Sequence, residues 1–361
     1  MRLTISQFFW TIATMEITMN IWLTISPTIT LVGQDAWIAM LIGGMIGTGV
    51  TYAASRIGAH HPGKSLIGLS EDLFGEWLGK AVSLYYLLGW YSVTIIILRA
   101  MAEFIQLILF SRTSAVVLSA IMVVTMIYIT HRGGITAIGR FSQIVGPLFF
   151  LVILITFILN SPNINLQHLL PVYADHGFAA IMGAAVPHAS FLSESILIMI
   201  LIPFLQSRKA TRPAIIAVIV SSLFVTVATA LVIMTFGPHF SGKFINPYFN
   251  MVRFISVLEF IQNMDVWVIF VWLLCVFVKL SLYLFITSHA TAELLRIKEW
   301  RKVVWYLGGI YLLVSALPPN IVTVITDYYE KMWIPLIFWP NMIVLPSIML
   351  AISLAKKRAG G

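Results

Sequence analysis

The sequence predicts an all-α polytopic membrane protein with about ten transmembrane helices. Three observations carry this. Apolar residues make up 60% of the chain and charged residues only 10%, with a mean hydropathy of +0.96, whereas a soluble domain carries about 25% charged residues. The apolar stretches are long, close to the roughly 20 residues that a helix needs to cross a bilayer. No run of short alternating strands, as in a membrane barrel, interrupts them. A chain of 361 residues is long enough for a large soluble core, but this one lacks the charged surface that would keep such a core in water.

The spans fall at 7–31, 36–57, 81–110, 114–130, 141–159, 177–205, 213–236, 265–290, 303–325 and 332–355. Every connector is short, so 1–361 is one membrane domain. The first apolar stretch is too long for a signal peptide, and a second span follows at once. The connectors alternate in charge. Sixteen Lys and Arg residues, from Arg2, Arg56 and Lys64 to Arg296, Arg301 and Arg358, lie in one set; four, Arg112, Lys243, Arg253 and Lys331, lie in the other. This asymmetry puts both termini in the cytoplasm. The net charge of +8 therefore faces anionic lipid rather than nucleic acid. Residues 65–79, with Leu66, Leu69, Leu73 and Leu78 among Glu71, Asp72 and Glu76, form an amphipathic stretch along the cytoplasmic surface. Residues 250–262 form a similar short helix outside.

A charge at the bilayer centre costs about 2.5–3.5 kcal/mol even on the most lenient scale, so charges inside spans mark candidate sites. Arg99 and Glu103 sit four apart on span three and share a face, as expected of a local ion pair. Glu16, Glu194 and Lys279 lie on spans one, six and eight, each roughly 16 Å from the cytoplasmic end of its span, near the midplane. They form either a structural polar cluster that holds helices together or part of a ligand or ion site.

Span one (Thr11, Thr14, Glu16, Thr18, Asn20, Pro27) and span six (Gly183, Pro187, His188, Ser190, Ser193, Glu194) are the least apolar spans, five spans apart. Interrupted helices at matching places in two halves point to an inverted-repeat transporter fold, with repeats at 7–159 and 177–355; the alternative is two proline kinks. Gly43, Gly44, Gly47 and Gly49 give span two a small-residue face suited to close packing. The single cysteine, Cys275, forms no internal disulfide, and the eight histidines show no metal spacing. No metal, cofactor or enzymatic motif is expected.

Several short motifs occur in order along the chain: Gln34-Asp35-Ala36-Trp37, His61-Pro62-Gly63-Lys64-Ser65, Leu78-Gly79-Lys80, Gly139-Arg140, Leu170-Pro171-Val172, Pro203-Phe204-Leu205, Asn246-Pro247-Tyr248 with Arg253, and Lys279-Leu280-Ser281-Leu282-Tyr283. Through them nearly the whole chain resembles the B subunit of GerA-type spore germinant receptors, the spore germination permeases of the amino acid–polyamine–organocation superfamily. The resemblance implies a leucine-transporter-like fold of two inverted five-helix repeats, with a ligand pocket between spans one, three, six and eight. Its walls would be Thr18 and Asn20, Trp90 and Tyr91, Ser190 and Glu194, and Lys279 and Tyr283, with Glu16, Glu194 and Lys279 on an ion or coupling path. Relatives usually carry a glycine in mid span one, where the helix unwinds; here none occurs between Met1 and Gly33.

The resemblance further implies a nutrient-sensing subunit in the inner membrane of a spore. It would bind a small germinant, an amino acid, and act with an A-type membrane subunit and a C-type lipoprotein to release ions. The alternative is an autonomous amino-acid or cation-coupled secondary transporter. The charge asymmetry is tested by placing cysteines at Ser161, at Lys331 and at Ala59 or Ser207. In sealed cells the first two should react with an impermeant thiol reagent and the last only after the membrane is opened; outside labelling at position 207 would contradict the ten-span topology.

Overall fold

The computed structural model describes residues 2–61, 63–173, 175–206, 210–255, 264–317 and 328–359. Among the described residues, seven helical runs are long and apolar enough to cross a membrane. One of them, Ala115–Leu159, has 45 residues. Straight, it would reach ~68 Å, over twice the hydrocarbon thickness. It breaks at Gly134, whose φ of 55° and ψ of −151° fall in a region open only to glycine. The run is therefore spans four and five, and their expected loop at 131–140 is largely helical. Ile5–Leu23, less apolar because of its Thr, Asn and Glu residues, and Trp300–Ser315, with 16 residues, complete ten rods among the described residues. The end of span nine expected at 318–325 lies outside the described residues.

Other boundaries shift for local reasons. Span three begins at Glu76, so only Leu66–Phe74 of the amphipathic stretch is a separate helix. Ser65 caps its start, and Gly75, at φ 84°, turns the chain into span three. The expected helix at 250–262 begins earlier, at Pro247, and runs to Phe254; 256–262 lies outside the described residues. Span ten is a wide π-helix over Tyr329–Val344. Pro335 and Pro340 there withhold donors from the i→i−4 ladder. An α-helix continues over Leu345–Ala359.

The packing follows an exchange of spans five apart. Span one packs on seven and span six on two; span two also meets seven. Span one meets five, where Gly146 faces Trp10 and Thr14, and span six meets ten, where Phe191 stacks on Tyr329. Span four meets eight and span nine meets three. This is the pairing of a fold built from two inverted five-helix repeats. Spans six and eight are its centre: 89% of the most apolar window of Phe178–Phe204 and 78% of that of Met264–Leu294 are buried, against 33% for Tyr329–Lys356. The outer rods expose Met45, Tyr128, Ile144 and Leu313, the apolar belt that lipid requires.

Polar contacts tie the connectors into two ends. At the basic end, Leu3 pairs with Leu205 as a lone β-bridge: Leu3 N–H donates to Phe204 O at 2.7 Å and Gln206 N–H to Leu3 O at 3.0 Å. Ser65 meets Glu293, Lys356 reaches Asp72 O, and Arg301 donates to His131 O at 3.0 Å. His60 and His61 share the Ser353 hydroxyl; burial, partly offset by Asp72, holds the His61 imidazole below its ordinary pKa. At the other end, Gln34 donates to Asp175 and Asp35 accepts Tyr173 N–H, so this motif anchors the loop before span six.

Gly43, Gly44 and Gly47 bring span two against spans six and seven. A Cβ on Gly43 would lie 2.8 Å from Ala185 O; one on Gly44 would collide with Ser222 and one on Gly47 with Leu192. Gly49 has nothing near it and is not part of this contact. Gly47→Leu should therefore cost about 1–3 kcal/mol through overpacking, while Gly49→Leu should be near neutral. Thermal unfolding of the detergent-solubilised variants checks this, and equal melting temperatures for the two would refute the packing role.

Candidate functional site

Two helices shape the centre. In span six, Pro187 has no N–H to offer the carbonyl four residues earlier. The helix runs from Phe178 to Leu192 and then tightens into a 3₁₀ turn over Ser193–Leu197, which sets Glu194 toward span eight. Span one differs from expectation. The resemblance implies an interruption in mid span one, yet Ile5–Leu23 is one unbroken α-helix. The carbonyls there are already used. Asn20 Nδ2 donates to Glu16 O at 2.6 Å, Thr11 to Gln7 O at 2.7 Å, and Thr18 to Thr14 O. Without glycine, the left-handed conformations that open a helix are costly. The break falls instead at Thr24, before Ile25–Val32, because Pro27 leaves the Leu23 carbonyl without its donor. Thr24 itself stays near helical geometry, at φ −98° and ψ −22°.

Glu194, Lys279, Tyr283 and Glu16 meet at the centre, all fully buried. Lys279 Nζ lies 2.6 Å from Glu194 Oε2, and the Tyr283 hydroxyl donates to the same oxygen at 2.5 Å. Lys279 and Tyr283 reach Glu194 together because they are one helical turn apart. The ammonium also lies 3.4 Å from Met15 O and 5.7 Å from the centre of the Phe191 ring. Glu16 is within electrostatic range of both Lys279 and Glu194, but among the described residues neither of its oxygens accepts a hydrogen bond, and Glu194 Oε1 is likewise unpartnered. Two carboxylates thus share one ammonium in a medium where unpaired charge costs several kcal/mol.

The other expected pocket residues divide among neighbouring networks. Asn20 Oδ1 accepts from His188 Nδ1–H at 2.9 Å, and the Ser222 hydroxyl lies 3.0 Å from His188 Nε2, linking spans one, six and seven. Thr18 O accepts Trp272 Nε1–H at 3.0 Å. Ser190 Oγ lies 2.6 Å from the Tyr329 hydroxyl. Trp90 packs on Tyr86 with ring centres 5.7 Å apart. The Tyr91 hydroxyl bonds Thr291, toward the basic end. Arg99 and Glu103 form the expected ion pair on one helix face.

A cavity of about 680 Å³ opens at the end opposite the basic connectors, within the usual size for a small-molecule site. Trp22, Pro27, Glu103, Phe104, Phe191 and Tyr329 are among its walls. Phe191 and Tyr329 stack at 5.7 Å and 5°. Since Phe191 also covers Lys279, this pair separates the cavity from the buried charges. Sequence reasoning missed Trp22, Phe191 and Tyr329: in apolar spans an aromatic ring facing a cavity reads the same as one facing lipid. His188 carried a signal, since a buried imidazole needs partners.

Residues 2–324 match the profile of a family described as Spore germination protein. The chain is similar to Spore germination protein KB of Bacillus subtilis (strain 168), 26% identical over 368 residues, covering 99% of this chain and 96% of that protein. It is also similar to Spore germination protein YndE of the same organism, 21% identical over 303 residues, covering 82% of each. Among solved structures it resembles MhsT in complex with L-phenylalanine, with a TM-score of 0.68, 11% identity and coverage of 96% of this chain and 97% of that one. It also resembles Mhp1, a nucleobase-cation-symport-1 family transporter, with a TM-score of 0.59, 12% identity and coverage of 96% and 89%. These structural likenesses establish a leucine-transporter-like fold.

The geometry makes the buried pair costly to break and cheaper to remove whole. Lys279→Met or Glu194→Gln alone should destabilise the protein by about 3–5 kcal/mol, and the double variant should recover part of the loss. Thermal unfolding of the three proteins tests the coupling; strictly additive losses would show that the two side chains act independently.

Proposed function

The chain belongs to the spore germination protein family, and on that premise we propose that it is the nutrient-sensing B-type subunit of a spore germination receptor. It binds a small germinant, a neutral amino acid, between its two repeats, 7–159 and 177–355, and couples that binding to ion release. Its partners are an A-type membrane subunit and a C-type lipoprotein in the spore's inner membrane. The termini and the basic connectors face the cytoplasm, and the cavity faces outward. The observation that carries this reading is the Lys279–Glu194 pair, held fully buried beneath the Phe191 ring that lines the cavity.

The chemistry fits a zwitterion. With span one wound through Thr18–Asn20, the backbone there has no free groups to offer, so charged side chains meet the ligand. A ligand carboxylate takes Lys279, and its ammonium takes Glu16 or Glu194. One internal ion pair is exchanged for two with the ligand, and the unpartnered Glu16 gains a counter-charge. Ser190 and Asn20 add hydrogen bonds; Tyr283 and Trp90 supply an apolar wall for the side chain, while Tyr91, bonded to Thr291 toward the basic end, lies off it. Entry requires Phe191 and Tyr329 to part, so the ligand favours a conformation in which that stack is open. It shifts the equilibrium only by its differential affinity for the two states. The amino acid bound to MhsT, a protein of similar fold, is consistent with this ligand class.

The second reading, an autonomous amino-acid or cation-coupled transporter, is favoured by the outward cavity in a fold shared with MhsT and Mhp1. Accumulation of labelled amino acid in vesicles holding this chain alone would support it, while ligand-dependent ion release only with the partner subunits supports the receptor. In either case, neutral amino acids should raise the melting temperature of the purified protein. Lys279→Ala should abolish that shift and the cellular response while the protein still reaches the membrane, and Glu194→Gln should weaken both. Stabilisation by a sugar or nucleoside, and by no amino acid, would overturn the ligand class.

A further inference from the structure

Beyond Tyr283, toward the basic end, lies a set of buried and part-buried hydroxyls that the sensing reading leaves unused. On span eight, Lys279, Tyr283, Thr287 and Thr291 recur at every fourth position and so share one face. The first three are fully buried and Thr291 is part-buried. Tyr283 donates to Glu194. One turn on, Thr287 Oγ1 accepts the Tyr311 hydroxyl of span nine at 2.7 Å and donates to Tyr283 O at 2.7 Å. One turn further, the Thr291 hydroxyl bonds that of Tyr91 on span three. The Tyr91 and Tyr311 rings lie 6.3 Å apart and close the seam from the side. Burying a hydroxyl is unfavourable unless it is bonded. Here three helices set five of them, bonded as Tyr283–Glu194, Thr287–Tyr311 and Thr291–Tyr91, in line between a buried carboxylate and the cytoplasmic end.

We propose that this seam is a proton-access path connecting Glu194 with the cytoplasm. The inference rests on the functional reading for its orientation and for Glu194 as a coupling acid. A hydroxyl both donates and accepts, so it can take a proton on one side and release its own on the other. A proton needs no free bore, whereas hydroxyls bonded to one another leave no room between them for a hydrated metal cation. Two gaps, between Tyr283 and Thr287 and between the Thr287–Tyr311 and Thr291–Tyr91 pairs, each correspond to one helical turn, and a bridging water in each would complete the relay.

The transfer balances. Glu194 accepts the Tyr283 proton, and Tyr283 takes one from the first bridging water. The pairs Thr287–Tyr311 and Thr291–Tyr91, joined by a second bridging water, each accept one proton and pass one on, and a cytoplasmic hydronium supplies the last. The net change is one proton on Glu194, with every hydroxyl restored. The groups facing Glu194 are Lys279 and Tyr283 on span eight, Glu16 on span one, and Tyr328 and Tyr329 on span ten. Protonation frees Lys279 from Glu194 and leaves it opposite Glu16, one ammonium to one carboxylate.

The test uses the full chain carrying Phe191→Ala, which removes the ring between the cavity and Lys279. It is reconstituted in vesicles with a trapped pH dye under a potassium diffusion potential. Proton entry should exceed that of protein-free vesicles. Adding Thr287→Val or Tyr311→Phe should return it to the protein-free level, while Thr287→Ser preserves it, with melting temperatures unchanged throughout. Should Thr287→Val fail to fold, Tyr311→Phe carries the test. No entry with Phe191→Ala, or entry that survives Tyr311→Phe, overturns the path. So does a loss that tracks a falling melting temperature and is shared by Thr287→Ser, because it marks the hydroxyls as packing only. The ligand assay is read separately: loss of amino-acid binding with proton entry intact would sink the sensing reading and leave the path standing.

Discussion

An ammonium and a carboxylate 2.6 Å apart, both without any exposed surface, constrain everything around them. In the apolar centre of a bundle such a pair persists only if its geometry is good and its remaining valences are served. Span six tightens to aim Glu194, span eight repeats Lys279 and Tyr283 one turn apart, and span one lends the Met15 carbonyl. The three helices are therefore tied by electrostatics at mid-depth, while glycine contacts from span two hold six and seven by shape. Glu16 is the part this arrangement leaves unserved. A cluster with one carboxylate too many is poised to accept positive charge, from a ligand's ammonium or from a proton.

The pair also explains the layout above it. Phe191 presents its ring to the Lys279 ammonium and to Tyr329 at once. The attraction of the cation for the ring face and the stacking hold the partition between cavity and charges closed. Trp22 and Phe104, on the cavity wall, pack on Trp272, which donates to Thr18 O. Whatever occupies the cavity thus touches side chains that contact both the ion pair and span one.

Charges were the most legible part of the sequence, because in an apolar run each needs a reason. Glu16, Glu194 and Lys279 could be grouped from their depth alone, and Tyr283 joined them through the resemblance to the spore germination permeases. The bundle was legible for the same reason: hydropathy and the alternation of basic connectors give spans and their order. What could not be read is set by contacts between distant segments or by small backbone choices. Nothing local says that the turn at Gly134 replaces a loop, or that Tyr91 points away from Trp90. The winding of span one through Asn20 follows from an absence, the missing glycine, and the position of its break from Pro27, yet the sequence offered both prolines and polar residues as candidates for unwinding.

The bridge between Leu3 and Leu205 joins the first and sixth spans through main-chain groups alone. Such a fastening is indifferent to which side chains flank it. Mutation can rewrite the neighbouring residues freely, provided no proline removes an N–H, and the two spans that flank the ion pair stay clasped at this end. The Pro203-Phe204-Leu205 motif marks one side of this clasp in the sequence, while the segment that meets it at Leu3 carries no motif, because the backbone donor and acceptor it uses belong to every residue except proline.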